Sequence, residues 1–538
     1  MNVDQKSKIF KKNLKININI NENIKEVLID KKKYKYILKL SDEKFSKIDA
    51  EILLKKIIFE GDFKNFIINL DINFYLIIWS DDYLFCTVDH VSTYQLLYNI
   101  NDSEINIYNN ISDLNLKKKS IIEKSIYYSG YSISNLTIFN ELNSLLPCEY
   151  LVYKKNNLKI NTYYNTNYLY QKDPSSSGDL NSTITKIFQN LKKKYNDCNI
   201  IVPLSSGIDS RFIVSALKHF SFKKVKLFTH YYLNRRDKII ANKISKYFNY
   251  PIEYVRLNIN DSKKIYRSKN FNNYLNYNLS GNTINNHGDY ISIKKLLKKK
   301  FLNLNEDIIM NGQSGDFITG NHIPIFLFDK KDNSIDYLLQ KTLDYIIFKH
   351  FNLWSEKVIN QDQKEIQKYI KSLYFNNLSS RYDLISMYEK FEFENRQVKW
   401  VVGQQKVYDF FGLNSYLPLW SLQMIDFFTK RVNIYQRKNQ KFYKDFLIKK
   451  NYSNVWKNIP INPREKFTPL FRIVRFICKS FFFFLGKKNW YEFEKKYLNY
   501  FMDSTLISTF YDYKYFVKLK KIPRNTVALL ARDYLDKK

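Results

Sequence analysis

One short stretch constrains the fold more than any other: Asn199-Ile-Ile-Val-Pro-Leu-Ser-Ser-Gly-Ile-Asp-Ser-Arg211. The apolar run Ile200–Leu204 reads as a buried strand that stops at a Ser-Ser-Gly turn. Phe212-Ile-Val-Ser-Ala-Leu-Lys218 follows with a helical apolar stripe. A strand that ends in small residues and opens a helix aims backbone N–H groups and the positive helix end at one spot, which suits an anion. Ser205 and Ser210 add hydroxyl donors. Asp209 repels a bare anion, so its presence implies a metal ion bridging it to phosphate oxygens. The stretch reads as a pyrophosphate-binding loop, with Leu204, Ser205, Ser206, Gly207, Asp209 and Ser210 as its candidate nucleotide contacts. Its spacing is neither that of GxxxxGK[ST] nor that of GxGxxG. The plain alternative is an ordinary serine-rich turn between a strand and a helix.

At 538 residues the chain is too long for one core, and 45% hydrophobic content is enough for packed globular structure. The net charge of +35 invites a nucleic-acid partner. Lys, Asn, Ile, Tyr and Phe are inflated together, however, while Gly and Pro are scarce, as an AT-rich genome produces through its codons. The lysines are spread along the whole chain, so they read as solvated faces and a nucleic-acid partner is not expected. Cys86, Cys148, Cys198 and Cys478 lie far apart, without a CxxC pair, and fit reduced thiols. The first residues lack the apolar core of a signal peptide, and no window is apolar enough for a transmembrane helix. A cytoplasmic protein is expected.

Residues up to about 165 read as β-rich, with Tyr34–Leu40, Asn73–Trp79, Tyr83–Val88 and Leu151–Tyr153 as short aromatic and β-branched strands. Gln171-Lys-Asp-Pro-Ser-Ser-Ser-Gly-Asp179 reads as a linker, dividing the chain into 1–170, 171–180 and 181–538. Beyond it, strands Ile200–Leu204 and Val225–Thr229 alternate with helical segments such as Lys238–Phe248, which predicts a parallel α/β sheet. The region after about 335 is mostly helical in pattern. Asp307-Ile-Ile-Met-Asn-Gly-Gln-Ser-Gly-Asp-Phe-Ile-Thr-Gly320 is a second strand that ends in a flexible turn. It places Asp316 to meet Asp209 across a sheet crevice, where two carboxylates can clamp a magnesium ion on ATP phosphates. A surface turn carrying an ordinary aspartate is the alternative.

The first motif resembles the SGGxDS signature of the ATP pyrophosphatase (PP-loop) superfamily, with Ser206 where glycine is usual. Further segments resemble the asparagine synthetase family, which includes β-lactam synthetase and lasso-peptide cyclases. Asn73–Trp79 is similar to its FAFAIWD strand, Val88–Tyr98 to RDRLGxKPLYY and Thr137–Pro147 to TIFxGIxxLxPG. Asp307–Gly320 resembles LLSGxGxDExFGG, and Tyr416–Phe428 resembles RxPFLDxxLVEF with Ser421 in place of aspartate. Asn462-Pro-Arg-Glu-Lys466 is similar to the late RPK motif.

The resemblance implies an α/β chain: an α+β, Ntn-type sandwich like a class II glutamine amidotransferase, then a PP-loop α/β domain with a largely helical C-terminal part. It implies ATP and Mg²⁺ as cofactors, Asp209 and Asp316 as metal ligands, and Gly312 at the nucleotide. It makes Lys466 the catalytic lysine and Lys441 the lysine that holds pyrophosphate. The implied reaction adenylates a small-molecule or peptide carboxylate, releases pyrophosphate and transfers the acyl group to ammonia or an amine.

The pattern is broken in places. The family's glutaminase nucleophile is a cysteine at residue 2, where this chain has Asn2, and Cys86 falls inside an expected strand. Glutamine hydrolysis is therefore not expected, and ammonia would come from a separate donor unless an amine is the nucleophile. Gln313 stands where relatives carry an acid or a tyrosine, and an amide is no general base. Glu392 and Glu394 are candidate bases, with Glu394 preferred; solvent-facing helix glutamates are the alternative reading. The segment 467–485 sets Arg472, Arg475 and Lys479 on one helical edge among aromatic residues. It suits peripheral contact with an anionic membrane, but packing onto the core is the commoner use of such a stripe and is expected here. Competing readings of the whole chain are a catalytically silent scaffold and a PP-loop enzyme acting on tRNA.

Overall fold

In the computed structural model, the strands Lys6–Ile9, Asn157–Thr162, Glu149–Lys154, Tyr83–Val88, Phe74–Ser80, Lys32–Leu40 and Lys25–Ile29 form one antiparallel sheet in that order. The structure describes residues 6–537 apart from 12, 30, 45–48, 61, 62, 70, 71, 113, 115, 166–178, 233–235, 330–333, 464–468 and 503–505. A second sheet, Lys15–Asn19, Glu104–Tyr108, Leu97–Ile100 and Asn143–Ser144, packs on the first. Alternation explains the apolar strands. Tyr75 and Ile77 face the second sheet together with Cys86 and Leu151. Phe74, Leu76 and Ile78 face Leu53, Leu54, Phe63 and Ile67 from the helices Ala50–Lys55 and Phe63–Asn69. Both faces are buried, so the run Phe74–Ile78 reads as continuously apolar. The expected α+β sandwich is present, with all four expected strands.

Of the expected linker, 171–178 lies outside the described residues. Asp179 accepts the Asn181 and Ser182 N–H groups and caps the helix Leu180–Tyr195. The second half holds a parallel sheet ordered Ile252–Arg256, Val225–Tyr231, Asn199–Pro203, Asp307–Met310, Asn414–Tyr416. Ile200 and Val202 point to one core and Ile201 to another; Ile308, Met310 and Ile309 divide in the same way. The chain enters this sheet at its middle strand, adds two strands to one side, then crosses to the other. Residues beyond 335 are mainly helical. The molecule as described is a mixed α/β protein.

The two halves share backbone bonds and core. Ser132 and Ile138 donate N–H groups to Asn282 and Gly281 (2.7 and 2.8 Å), and Ser415 donates to the Ser41 carbonyl (3.0 Å). Ile122, Ile126 and Ile133 pack in one cluster with Ile346, Tyr388 and Leu529. The helix Thr526–Lys537 lies on the helix Ser120–Ser129, and Lys118 Nζ reaches the Leu535 carbonyl at 3.2 Å.

One expectation is overturned. The helix Pro469–Phe481 does not bury its apolar face on the core: Ile473, Phe476 and Phe481 are 57%, 72% and 75% exposed. It is tied to the body by contacts that include the Arg475–Glu494 ion pair and the packing of Phe482 on Trp490 and Phe493. Those contacts lie to one side, and Ile473, Val474, Phe476, Ile477 and Phe481 remain exposed. The cysteines follow expectation: all four are free, and Cys86, Cys148 and Cys198 are buried.

Candidate functional site

A cleft of about 390 Å³ opens between the C-terminal ends of Asn199–Pro203 and Asp307–Met310. This is the point where strand order reverses, because successive connections leave to opposite sides and part there. The loop after each strand forms a wall, as the two motifs predict.

On the first wall, Gly207 caps the helix Ile208–His219. Ser205 and Gly207 turn their N–H groups to the Ser210 and Ser205 hydroxyls (3.1 and 3.2 Å), and Ser206 turns its own to the Asp237 carboxylate (2.8 Å). Leu204 is buried and donates its N–H to the Phe228 carbonyl at 2.8 Å, which holds the loop on the sheet. Buried Arg211 donates to the Ile459 and Pro460 carbonyls (2.6 and 2.7 Å) and so pins a distant segment beside the loop. Asn462 then donates its N–H to the Ser206 carbonyl at 3.1 Å. The motif that starts at Asn462 thus begins at the cleft, while Lys466 lies outside the described residues.

The second wall meets the first at Asp209. Asp316 donates its N–H to Asp209 Oδ2 at 3.1 Å, and Asp209 Oδ1 is buried without a hydrogen-bond partner. A β-carbon on Gly312 would stand 2.8 Å from the Asp209 carbonyl carbon, and one on Gly315 would stand 2.7 Å from Leu419 Cδ1 as well as striking the Asp209 carboxylate. At Gly312 the obstacle is backbone, so this approach alone requires glycine there; at Gly315 it is side-chain atoms, which would have to move. Burial, then the Asp316 charge, raise Asp209 well above the usual carboxylate range.

His322, which the sequence reading missed, stands behind this pair. Its Nε2 bonds Asp316 Oδ2 at 2.9 Å and its Nδ1 bonds Glu392, which also accepts Lys349 Nζ at 3.0 Å. Burial opposes the charge on His322, but Glu392 and Asp316 outweigh it and raise the imidazole to about 9. Burial likewise pushes Asp316 up, yet the His322 bond and charge hold it below its ordinary value. The signal available in sequence was one of only six histidines, six residues beyond Asp316.

A chain of side chains lines the opposite side. Gln313 donates to Gln404 Oε1 (2.6 Å) and accepts from Gln405 (3.0 Å). Gln404 and Tyr408 both donate to Asp289 Oδ2, at 2.5 and 2.6 Å. Asp289 lines the cleft and is 3% exposed. It too went unread in the sequence, since nothing around Gly288-Asp289 carries a recognisable spacing.

Among the expected residues, the structure brings together Ser205, Gly207, Asp209, Ser210, Gly312 and Asp316 at the cleft, with Ser206 just beneath. It does not bring Glu394 there. Glu394 accepts the Tyr374 hydroxyl at 2.8 Å within a separate buried cluster, while Glu392 reaches toward the site through His322. Both glutamates are buried rather than solvent-facing. Lys441 is exposed at the start of the helix Lys441–Lys450, next to Gln440, which lines the cleft.

No protein-family model matches the chain, and no curated protein matches it. Among solved structures, it is similar to a glutamine phosphoribosylpyrophosphate amidotransferase from B. subtilis complexed with ADP and GMP. That likeness is 11% identical, spans 47% of this chain and 76% of that one, and has a TM-score of 0.19. An allosteric regulatory enzyme of purine biosynthesis is similar at 10% identity over 44% of this chain, with a TM-score of 0.19. The chain spans 63% of that enzyme, less than two thirds of its length.

Proposed function

We propose that this protein is an ATP-dependent ligase that adenylates a carboxylate, releases pyrophosphate and passes the acyl group to ammonia or an amine. The observation that carries the reading is the meeting of Asp209 and Asp316 over a cleft at the sheet's switch point, where Gly312 lies too close to the Asp209 backbone to leave room for a β-carbon.

Magnesium fits this donor set. Among the described residues no cluster of three or more His, Cys, Asp or Glu could cage a metal alone. Mg²⁺ is ordinarily held by one or two carboxylates together with substrate phosphates and water. Asp209, with its unpartnered buried Oδ1, and Asp316 would hold it, and it would supply neutralising charge to the departing diphosphate.

On this reading a carboxylate oxygen of the substrate attacks the α-phosphorus of ATP, and the bond to the bridging α–β oxygen breaks. The nitrogen nucleophile then attacks the acyl carbon of the mixed anhydride and AMP leaves. The N–H groups of Ser205 and Gly207, now bonded to hydroxyls, exchange those partners for phosphate oxygens when ATP binds, and donors aimed at the developing charge then lower the barrier. Holding both reactants in one crevice supplies the proximity contribution. Gln313, fixed between Gln404 and Gln405, orients a substrate group by hydrogen bonding and removes no proton. His322, held protonated between two carboxylates, keeps Asp316 ionised and in place.

One observation favours a silent scaffold instead. The Asp237 carboxylate already accepts the Ser206 N–H, where a phosphate oxygen would be expected to bind. The deciding experiment is pyrophosphate release from ATP and Mg²⁺ with pooled carboxylic acids, comparing wild type with Asp209→Ala. Acid-dependent release that vanishes in the variant supports the ligase. Absence of release with every acid, in folded protein that also fails to bind ATP, leaves the scaffold.

A further inference from the structure

The helix Pro469–Phe481 and the turn after it concentrate exposed apolar side chains: Phe476 is 72%, Phe481 75%, Phe483 81% and Phe484 93% exposed, with Leu485 at 58%. Scattered exposed apolar residues are ordinary, but a contiguous cluster marks a contact surface. With about 100° between successive residues, Ile473, Ile477, Phe481 and Val474 share one face of the helix, and Arg472 and Lys479 run along its edge. Arg475 turns the other way, toward the body, where it pairs with Glu494 and lies over the Trp490 ring at 5.6 Å. The helix is therefore held by one edge and presents the rest outward.

Charge selects the occupant. From Lys466 to Tyr491 the sequence has six basic residues and no acidic one, in a chain of net charge +35. Exposed Arg472, Lys479, Lys487 and Lys488 surround the phenylalanines. A basic edge flanking an apolar face, with aromatic rings at its tip, complements an anionic bilayer. The rings enter the acyl boundary while the cations stay at the lipid phosphates. Among the described residues no helix is long and apolar enough to cross a membrane, so contact of this kind stays at the surface. We propose that the segment 469–488 is a reversible anchor that lies flat on anionic membranes, with Phe476, Phe481, Phe483 and Phe484 inserted.

The test is co-sedimentation of the full-length protein with vesicles of phosphatidylcholine alone, or with about a third phosphatidylserine. The protein is expected to pellet with the anionic vesicles only, and less as salt shortens the screening length. The double substitution Phe483→Ser/Phe484→Ser keeps the net charge and should weaken binding at least about tenfold. Arg472→Glu/Lys479→Glu should weaken it comparably. Both pairs are exposed, so unchanged thermal unfolding is expected and certifies folded protein. Equal binding by the serine variant would overturn the proposal, since diffuse charge would then suffice. Failure to pellet also overturns it. If wild type instead sediments as a dimer that the serine pair dissociates, the face belongs to a second copy of this chain.

Discussion

The α-carbon of Gly312 rests on the backbone of Asp209 so closely that a β-carbon there would stand 2.8 Å from the Asp209 carbonyl carbon and 2.8 Å from Ser210 N. Backbone cannot swing aside as a long side chain can, so Gly312→Ala must separate the two loops. The expected outcome is loss of acid-dependent pyrophosphate release together with destabilisation of about 1–3 kcal/mol. Release assays beside urea unfolding check both. A variant as active as wild type would show that the loops need not touch.

Asp209 holds a buried, unpartnered oxygen beside a second carboxylate, an arrangement that function can require and stability does not favour. Asp209→Asn keeps the shape and removes one of two like charges. Without nucleotide, the variant is expected to be as stable as wild type or more so, by up to about 2 kcal/mol. Pyrophosphate release should fall to background. Thermal melts with and without Mg²⁺ and ATP separate the effects, because only wild type should gain stability from the nucleotide.

Beneath the cleft, Arg437 and Glu389 are fully buried and joined by two hydrogen bonds of 3.1 and 2.8 Å. Arg437 also donates to the Ile318 carbonyl at 2.9 Å, which ties the pair to the turn carrying Asp316. Glu389→Ala leaves a buried guanidinium without its carboxylate and should cost about 3–5 kcal/mol. Glu389→Met combined with Arg437→Met removes both charges and should cost much less than the sum of the single changes. A double-mutant cycle in urea is the measurement. Additive losses would mean that the pair is not coupled.

Burial lowers His287 to about 4 and His350 to about 3. The unfolded chain takes up these protons near pH 6.5, whereas the native state stays neutral well below that. Stability is therefore full above pH 6.5 and falls as pH drops toward 4, by on the order of 1–3 kcal/mol for each histidine. His287 packs against the rings of Tyr266 and Phe510. His287→Phe should accordingly flatten the urea midpoint between pH 5 and pH 8. An unchanged slope would mean that His287 is protonated in the native state.

The two cleft walls were legible because each is local. A strand, a small-residue turn and a carboxylate follow one another within a dozen residues, and the apolar runs mark the strands that set them side by side. The groups behind them were not. Asp289 and Gln404 line the cleft, and His322 backs Asp316; they come from separate elements, and only tertiary packing unites them. Glu392 and Glu394 show the same limit in miniature. Residues two apart point to nearly opposite sides of a helix, so no more than one of them could face the site, and periodicity does not say which. The structure turns Glu392 to His322 and Glu394 to Tyr374. The helix Pro469–Phe481 misled for a related reason: its amphipathic pattern specifies an apolar face without specifying what covers it.

Lys118 and the Leu535 carbonyl that it grips are 417 residues apart. During synthesis, the amino-terminal sandwich therefore emerges long before the strip of chain that caps one of its flanks. Until the helix Thr526–Lys537 leaves the ribosome, Ile122 and Ile126 have no lid from Leu529, and the nascent polypeptide must shelter that greasy seam by other means. A stop codon just before Thr526 would spare every group named in the cleft and still leave a protein that holds together poorly.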